Sequence, residues 1–142
     1  MLKKIVVAVV VVVLAIAGYI AWQHAKKPTL RVAGHVYVLE VAKTEQQQEK
    51  GLGYRDDMPT DHGMLFSYAK PGKYCYWMRG MRFPLDIIWA DMQKHIVKVE
   101  QNLAPKTYPT TYCPDKAAQY VIELNAGQAA LRHLHVGQQL TF

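Results

Sequence analysis

Residues 85–90 carry apolar side chains in a pattern that covers both faces of an extended chain. Leu85, Ile87 and Trp89 alternate with a second apolar set that is interrupted only by Asp86. This alternation predicts a strand in the middle of a core, with no face left for water. A carboxylate inside such a strand is costly unless it is paired or protonated, so we expect the rest of the domain to supply a partner for Asp86.

Shorter apolar runs bounded by turn residues predict the remaining strands. Thr44 with Gln47 forms a capping-box pattern for a helix that ends near Lys50, and Asn125 with Gln128 predicts a second helix ending near Gly137. We therefore expect a mainly β fold (a β-rich α+β domain), a small open barrel or sandwich with two short helices. The predicted strands are 30–33, 36–42, one opening at 63, one on each side of a corner within 74–90, 96–99, 119–124 and 139–142, with a turn at 70–73 and a long loop at 103–116.

The N-terminal segment differs from the rest of the chain. Residues 5–22 are apolar and uncharged, and they follow the basic start Lys3-Lys4. A run of this length predicts a hydrophobic helix that anchors the chain in a membrane with the remainder outside the cytoplasm. The alternative is a cleaved signal peptide, which would make the protein periplasmic or secreted. Either way, residues 1–27 are a leader with its linker and 28–142 are one domain.

The net charge of +6 comes largely from that leader. Four of the 17 basic residues lie within residues 1–27, which contain no acidic residue, so the domain holds 13 basic and 11 acidic residues. This balance does not indicate a nucleic-acid-binding surface. The partners that we expect are the membrane, through residues 5–22, and an unknown small molecule or protein.

Cys75 and Cys113 are the only two cysteines. In an exported chain an even number favours a disulfide, which would join the long loop to the strand before the corner. Two buried thiols are the alternative, and a nucleophilic Cys75 with a histidine partner is a further one. The histidines are scattered without the spacing of a zinc site, so we predict neither a metal nor a cofactor.

Three carboxylates, Glu40, Asp86 and Glu123, occur inside apolar strands. They either form buried ion pairs that fix the loops or bind a polar ligand and act as acid and base. If the protein is an enzyme, Asp86 and Glu123 are its candidate catalytic residues. The arginines available as partners are Arg55, Arg79 and Arg82.

A series of motifs is spread over residues 36–142: Gly51-Leu52 with Arg55, Gly63 to Phe66, Trp77-Met78, Pro84 to Ile88, Tyr120 to Gly127 and Val136-Gly137. In order and spacing these motifs resemble the domain-of-unknown-function 192 family. The resemblance implies a small, mostly β fold, often exported or membrane-anchored, with no established activity. The chain departs from the family's pattern at Gly53-Tyr54, at the corner Arg79-Gly80-Met81 and at the turn 91–94, which lacks the usual glycine.

Two functions are consistent with this sequence. The preferred hypothesis is an extracytoplasmic module that binds a small polar or cell-envelope ligand or a protein partner. The alternative is a small hydrolase that uses the carboxylate pair Asp86 and Glu123. The candidate ligand-binding residues are Arg55, Trp77, Arg79, Asp86 and Glu123.

Overall fold

The computed structural model describes residues 9–18 and 27–142. Residues 9–18 are helical with exposed side chains. Within the described residues, no helix has both the length and the apolar character needed to cross a membrane. Part of the predicted anchor over residues 5–22 lies outside the described residues, and the anchor stays a prediction.

The domain is mainly β, as predicted. Of all the described residues, which include the helical residues 9–18, 41% are in strands and 18% in helices. Its helices are α1 (Glu45–Lys50) and α2 (Gln128–Leu131), with a 3-10 turn at Pro105–Thr107. The strands are β1 (Thr29–Val32), β2 (His35–Ala42), β3 (His62–Gly72), β4 (Tyr76–Trp77), β5 (Leu85–Ala90), β6 (Ile96–Leu103), β7 (Thr111–Tyr112) and β8 (Ala118–Asn125).

Six strands form one sheet in the order β1-β2-β3-β8-β5-β6, while β4 and β7 form a separate pair. Within the large sheet only β2 and β3 are parallel neighbours. The sheet is not closed. Single backbone bridges join Arg31 to Thr141 and His95 to Gln139, so residues 139–141 reach both edges of the sheet. The strand predicted at 139–142 is thus reduced to two isolated bridges.

Strand β5 is buried along its whole length, which confirms the central position predicted for it. On one face, Ile88 joins an apolar cluster that includes Ala129 of α2. On the other face, Ile87 and Trp89 join a cluster that includes Leu52 from the loop after α1. The sheet is therefore covered on both faces at its centre.

Two local signals in the sequence predict structure at or close to the observed residues. The strands predicted at 30–33 and 36–42 are joined one residue earlier than expected, by a two-residue turn at Ala33 and Gly34, where φ is positive, 47° and 75°. At α1 the Thr44 hydroxyl accepts a hydrogen bond from the Gln47 backbone N–H at 3.2 Å, and Gln47 Oε1 accepts one from the Thr44 backbone N–H at 3.1 Å. The predicted capping box is confirmed.

The second helix differs from its prediction at both ends. Asn125 does not cap it, because this residue pairs with Leu85 in the sheet and donates its side-chain amide to the Met58 carbonyl at 2.8 Å. At the other end, His133 has a φ of 53° and the Leu134 N–H donates to a carbonyl in the first turn. The left-handed conformation of His133 ends α2 well before Gly137.

Strand β3 is longer than predicted. It continues to Gly72, through the residues expected to form a turn, and its register against β8 shifts between Ser67 and Gly72. Within this irregular part of β3, the Tyr68 hydroxyl lies 2.8 Å from the hydroxyl of Tyr76 on β4.

Candidate functional site

Glu123 lies in β8, the strand between β3 and β5. Its register partners are Met64 on β3 and Ile87 on β5, so all three side chains are on the same face of the sheet. The residue is only 5% exposed. The fold therefore places a carboxyl group at the bottom of a cleft between this face and the end of α1.

One oxygen of the Glu123 carboxyl has no partner. Oε2 is buried, and among the described residues no group lies within hydrogen-bonding distance of it. Burial raises the pKa of Glu123 to about 8, and the positive charge of Arg55 opposes that rise. The carboxyl is thus mostly protonated at neutral pH, so it carries no charge and offers both a hydroxyl donor and an acceptor oxygen.

We call the space above this carboxyl the Glu123 cleft. Its walls are the end of α1 (residues 48–51), Tyr68 of β3, residues 75–77 around β4, and Arg79 and Met81 at the corner. Its volume is about 160 Å³. Sites for drug-sized ligands typically measure roughly 300–1,000 Å³. The Glu123 cleft therefore fits a small molecule or one terminal group of a larger one.

Two tyrosines stand beside Glu123 in the cleft. The hydroxyl oxygens of Tyr68 and Tyr76 are 2.8 Å apart, so one donates to the other. Burial raises the pKa of both phenols, which keeps them protonated. The ring of Tyr76 packs edge-on against Phe66 and Trp89 in the core, so its position is fixed.

The rim of the Glu123 cleft combines an exposed aromatic ring with charged side chains. Trp77 is 42% exposed. Its ring and that of Tyr108 pack edge to face, with 6.2 Å between the ring centroids. The Arg79 guanidinium lies 5.8 Å from the centre of the Trp77 ring. Arg79 also approaches the Glu49 carboxylate at 3.8 Å, and Lys50 adds a further positive charge.

A disulfide holds this rim in place. Cys75 and Cys113 are bonded, as predicted, and Cys75 is part of the cleft wall. The bond lies next to the β4–β7 pairing, in which Trp77 is opposite Thr111. The cross-link therefore fixes the strand that carries Trp77 against the long loop that carries Tyr108.

One of the arginines expected to pair with the strand carboxylates does so, although that carboxylate, Glu40, is partly exposed and not buried as expected, while Arg82 pairs with an acid outside the expected set. Arg55 donates from both terminal nitrogens to the two oxygens of Glu40, at 2.9 Å each. This hydrogen bonding lowers the pKa of the Glu40 carboxyl. Arg82 forms an ion pair with Asp56. Arg55 nevertheless lies close enough to Glu123 for its charge to act on that carboxyl.

Gly51 allows the end of α1 to approach the Glu123 carboxyl closely. It ends the helix with a φ of 51°, and a Cβ at this position would lie 3.6 Å from Glu123 Oε2 and 3.5 Å from the Phe66 ring. A side chain here would be strained and would reduce the space around the carboxyl.

Asp86 lies on the opposite face of the sheet from Glu123. Its register partner is Leu124, one residue further along β8, so the two carboxyl groups point to different faces. Asp86 is fully buried, and its oxygens accept backbone hydrogen bonds from Asn102 at 2.8 Å and from Ala129 at 2.7 Å. Asp86 and Glu123 therefore do not share a site. Through its two hydrogen bonds, Asp86 holds the backbone of β6 and of α2 in place.

Of the predicted ligand-binding residues, Trp77, Arg79 and Glu123 share one cleft, Arg55 lies beside it, and Asp86 does not contribute. Sequence reasoning missed the tyrosine pair. A signal was present for Tyr68, because it follows Met64 and Phe66 at a spacing of two and so falls on the same face of β3 as they do. Among the described residues no three His, Cys, Asp or Glu side chains are grouped in a way that suits a metal ion.

Residues 28–142 match the model of a family described as DUF192, "Uncharacterized ACR". No curated protein matches the chain. A solved structure of a protein of unknown function from Novosphingobium aromaticivorans DSM 12444 is 29% identical, with a TM-score of 0.75 over 80% of this chain and 84% of that one. A second, from Sinorhizobium meliloti 1021 and named as a candidate transcription regulator, is 30% identical, with a TM-score of 0.73 over 80% of this chain and 89% of that one.

Proposed function

We propose that this chain, which belongs to the domain-of-unknown-function 192 family, is a module that binds a small polar ligand in the Glu123 cleft. The observation that carries the proposal is the buried Glu123 carboxyl, whose Oε2 has no hydrogen-bond partner among the described residues. A polar group buried without a partner costs free energy, and natural structures rarely retain one without a reason. A ligand that hydrogen-bonds to this oxygen would supply the missing partner.

The surroundings of Glu123 favour binding over catalysis by a carboxylate pair. A hydrolase of the kind expected from the sequence needs two carboxyl groups on either side of one bond. Asp86 faces the other side of the sheet, and both of its oxygens are already hydrogen-bonded. Within the cleft itself the neighbouring acid is Glu49, which approaches Arg79 at the exposed rim.

We further propose that the domain acts outside the cytoplasm, held there by the apolar segment over residues 5–22. The Cys75–Cys113 disulfide supports this location, because disulfides persist in oxidising compartments and are rare in the cytosol. The length and apolar character of the segment favour an anchor, with signal-peptide cleavage as the alternative. Fractionation of cells expressing the full-length chain separates the two, since an anchored chain stays with the membranes and a cleaved one does not.

The binding proposal is tested with the methionine methyl groups as NMR reporters. Met81 is part of the cleft wall, whereas Met92 is an exposed residue in the turn after β5. The full-length, oxidised chain in detergent is labelled at the methionine methyls and mixed with sugars, amino acids and short peptides at millimolar concentration. We expect some of these compounds to shift the Met81 signal and not the Met92 signal.

The matched control is Glu123→Leu, which keeps the side-chain bulk and removes both oxygens. A ligand that shifts Met81 in the wild type and not in this variant would support the proposal. If no compound moves Met81, or if the shifts persist in Glu123→Leu, the carboxyl is not a ligand-binding group and the proposal fails.

A further inference from the structure

We infer that the ligand of the Glu123 cleft is an acidic sugar unit, with its hydroxyls on Glu123 and the tyrosine pair, its ring against Trp77 and its carboxylate near Lys50 and Arg79. This inference rests on the proposed function and goes further by naming the chemical class. It follows from three features of the cleft: the neutral floor, the aromatic rim and the excess of positive charge.

The floor of the cleft suits hydroxyl groups. Glu123 is protonated at neutral pH, and the phenols of Tyr68 and Tyr76 are neutral as well. Each of these groups is able both to donate and to accept a hydrogen bond, as a sugar hydroxyl is. Because Tyr68 and Tyr76 bond to each other, one phenolic hydrogen remains to donate into the cleft.

A charged group on the floor fits less well. A cation would have to ionise Glu123 in a buried position and would be repelled by the nearby Arg55. An anion would find no free guanidinium there, because Arg55 already donates both terminal nitrogens to Glu40. The floor is therefore suited to a neutral, hydroxyl-bearing part of the ligand.

The rim suits the apolar face of a ring. Trp77 is exposed at the opening of the cleft, and the strand that carries it is held by the disulfide next to it. A flat aromatic surface beside hydrogen-bonding groups binds a molecule that has one apolar and one polar side. A sugar ring has this shape, with C–H bonds on its face and hydroxyls at its edge.

The charges at the rim select for an acid. Lys50 and Arg79 are positive and Glu49 is negative, so the cleft has one excess positive charge when Glu123 is neutral. The Arg79 side chain is 52% exposed and Lys50 is also exposed, so both positive charges lie towards the opening of the cleft. A carboxylate on the far side of the sugar would meet them there. The cleft volume of about 160 Å³ is enough for one small unit, free or at the end of a longer glycan.

Three probes with the same ring separate these contributions: D-glucuronate, D-glucose and D-glucosamine. Glucuronate has a carboxylate in place of the hydroxymethyl group of glucose, and glucosamine has an ammonium group in place of the 2-hydroxyl. Dissociation constants are measured at neutral pH from the Met81 methyl shift of the full-length, oxidised chain, with Met92 as the internal control. We expect glucuronate to bind about fivefold more tightly than glucose, and glucosamine to bind more weakly than glucose.

Three variants assign the contacts. Lys50→Gln is expected to bring glucuronate close to glucose in affinity while leaving glucose unchanged, and Lys43→Gln, outside the cleft, is expected to change neither. Glu123→Gln keeps a donor and an acceptor and should retain binding at neutral pH. Glu123→Leu should lose all three sugars.

Two results would overturn the inference. Equal affinity for the three sugars, or a preference for glucosamine, would show that the rim does not select an acid, although the cleft would still be a binding site. No shift of Met81 with any of the sugars would exclude the sugar class, and the wider compound set described above would then decide whether the cleft binds a polar ligand at all.

Discussion

Replacing Glu123 with glutamine tests whether the buried carboxyl is protonated in the folded protein. The substitution keeps the size of the side chain and removes its ability to ionise. The titratable and charged groups around it are Arg55, Tyr68 and Tyr76, together with Glu49, Lys50 and Arg79 in the cleft wall. Burial keeps the two phenols from ionising near neutral pH. A change in stability between weakly acidic and weakly alkaline pH that the glutamine variant lacks would therefore belong to Glu123.

The size of this change follows from the pKa of the carboxyl. It rises from an ordinary value of 4.5 to about 8 on folding. Between these values the unfolded chain has lost the proton and the folded protein retains it, so the free energy of unfolding falls as the pH rises. The slope is about 1.4 kcal/mol per pH unit. Between about pH 5 and about pH 9 the wild type should lose about 4 kcal/mol that the glutamine variant keeps.

The assay is urea unfolding of the wild type and Glu123→Gln at three pH values across this range. The quantity compared is the difference between their free energies of unfolding, because groups that titrate in both proteins cancel from it. Glu45→Gln, which removes an exposed carboxylate of α1, is the control and should show no such dependence. A loss of about 4 kcal/mol is a large part of the roughly 5–15 kcal/mol that stabilises a domain, so it is easily measured.

The prediction is contradicted if the difference in free energy of unfolding between the wild type and Glu123→Gln does not change with pH. Glu123 would then be ionised in the folded protein throughout the range. Its Oε2 would then be solvated or paired with another group. The floor of the cleft would carry a negative charge and would not be neutral.

Three further perturbations test other parts of the structure. Asp86→Ala should lower the free energy of unfolding by about 2–5 kcal/mol, since the backbone N–H groups of Asn102 and Ala129 lose their acceptor inside the protein. A loss under about 0.5 kcal/mol would mean that those groups find other partners. Reducing the Cys75–Cys113 bond, which spans 38 residues, should cost about 4 kcal/mol by the chain-entropy argument. Equal urea midpoints for the oxidised and reduced proteins would contradict this. Arg55→Gln should raise the pKa of Glu123 further, because a positive charge that favours the ionised form is removed. Carboxyl NMR of the variant measures the direction, and an unchanged or lower pKa would place the charge of Arg55 too far away to matter.

The parts of the fold that could be predicted are those set by neighbouring residues. The alternation in residues 85–90 requires only that a strand be buried on both faces, and β5 is. The Thr44–Gln47 capping box and the turn at Gly34 likewise depend on a few adjacent residues. These signals held because no distant part of the chain overrides them, whereas the similar capping pattern at Asn125 failed because Asn125 pairs with Leu85 in the sheet.

The partners of the buried carboxylates could not be predicted in this way. We expected an arginine to form an ion pair with Asp86, because a buried negative charge is stabilised by a positive partner. Its partners are instead two backbone N–H groups, one of them at Asn102, where a φ of 55° turns the amide out of the usual strand geometry. Every residue except proline has a backbone N–H, so the sequence does not show where an irregular strand will leave such a group free to donate.

The same limit applies to the candidate site. Asp86 and Glu123 were correctly placed in strands, but whether they share a face depends on the register of β5 against β8. A shift of one residue moves a side chain to the other face. Glu123 is opposite Ile87, and this offset of one residue separates the two carboxyl groups. Trp77 and Arg79, which are close together in sequence, did fall in the same cleft as Glu123.

Residues 139–141 have a consequence for how the domain folds. Arg31 donates its backbone N–H to the Thr141 carbonyl at 2.9 Å, across about 110 residues of chain. Contacts between residues so far apart in sequence carry a high loop-closure entropy and are typical of slow folding. Until this segment docks, β1 and the start of β6 have unpaired backbone groups at both edges of the sheet, and such edges pair readily with other chains. The interval before docking is therefore when the folding chain is most exposed to aggregation.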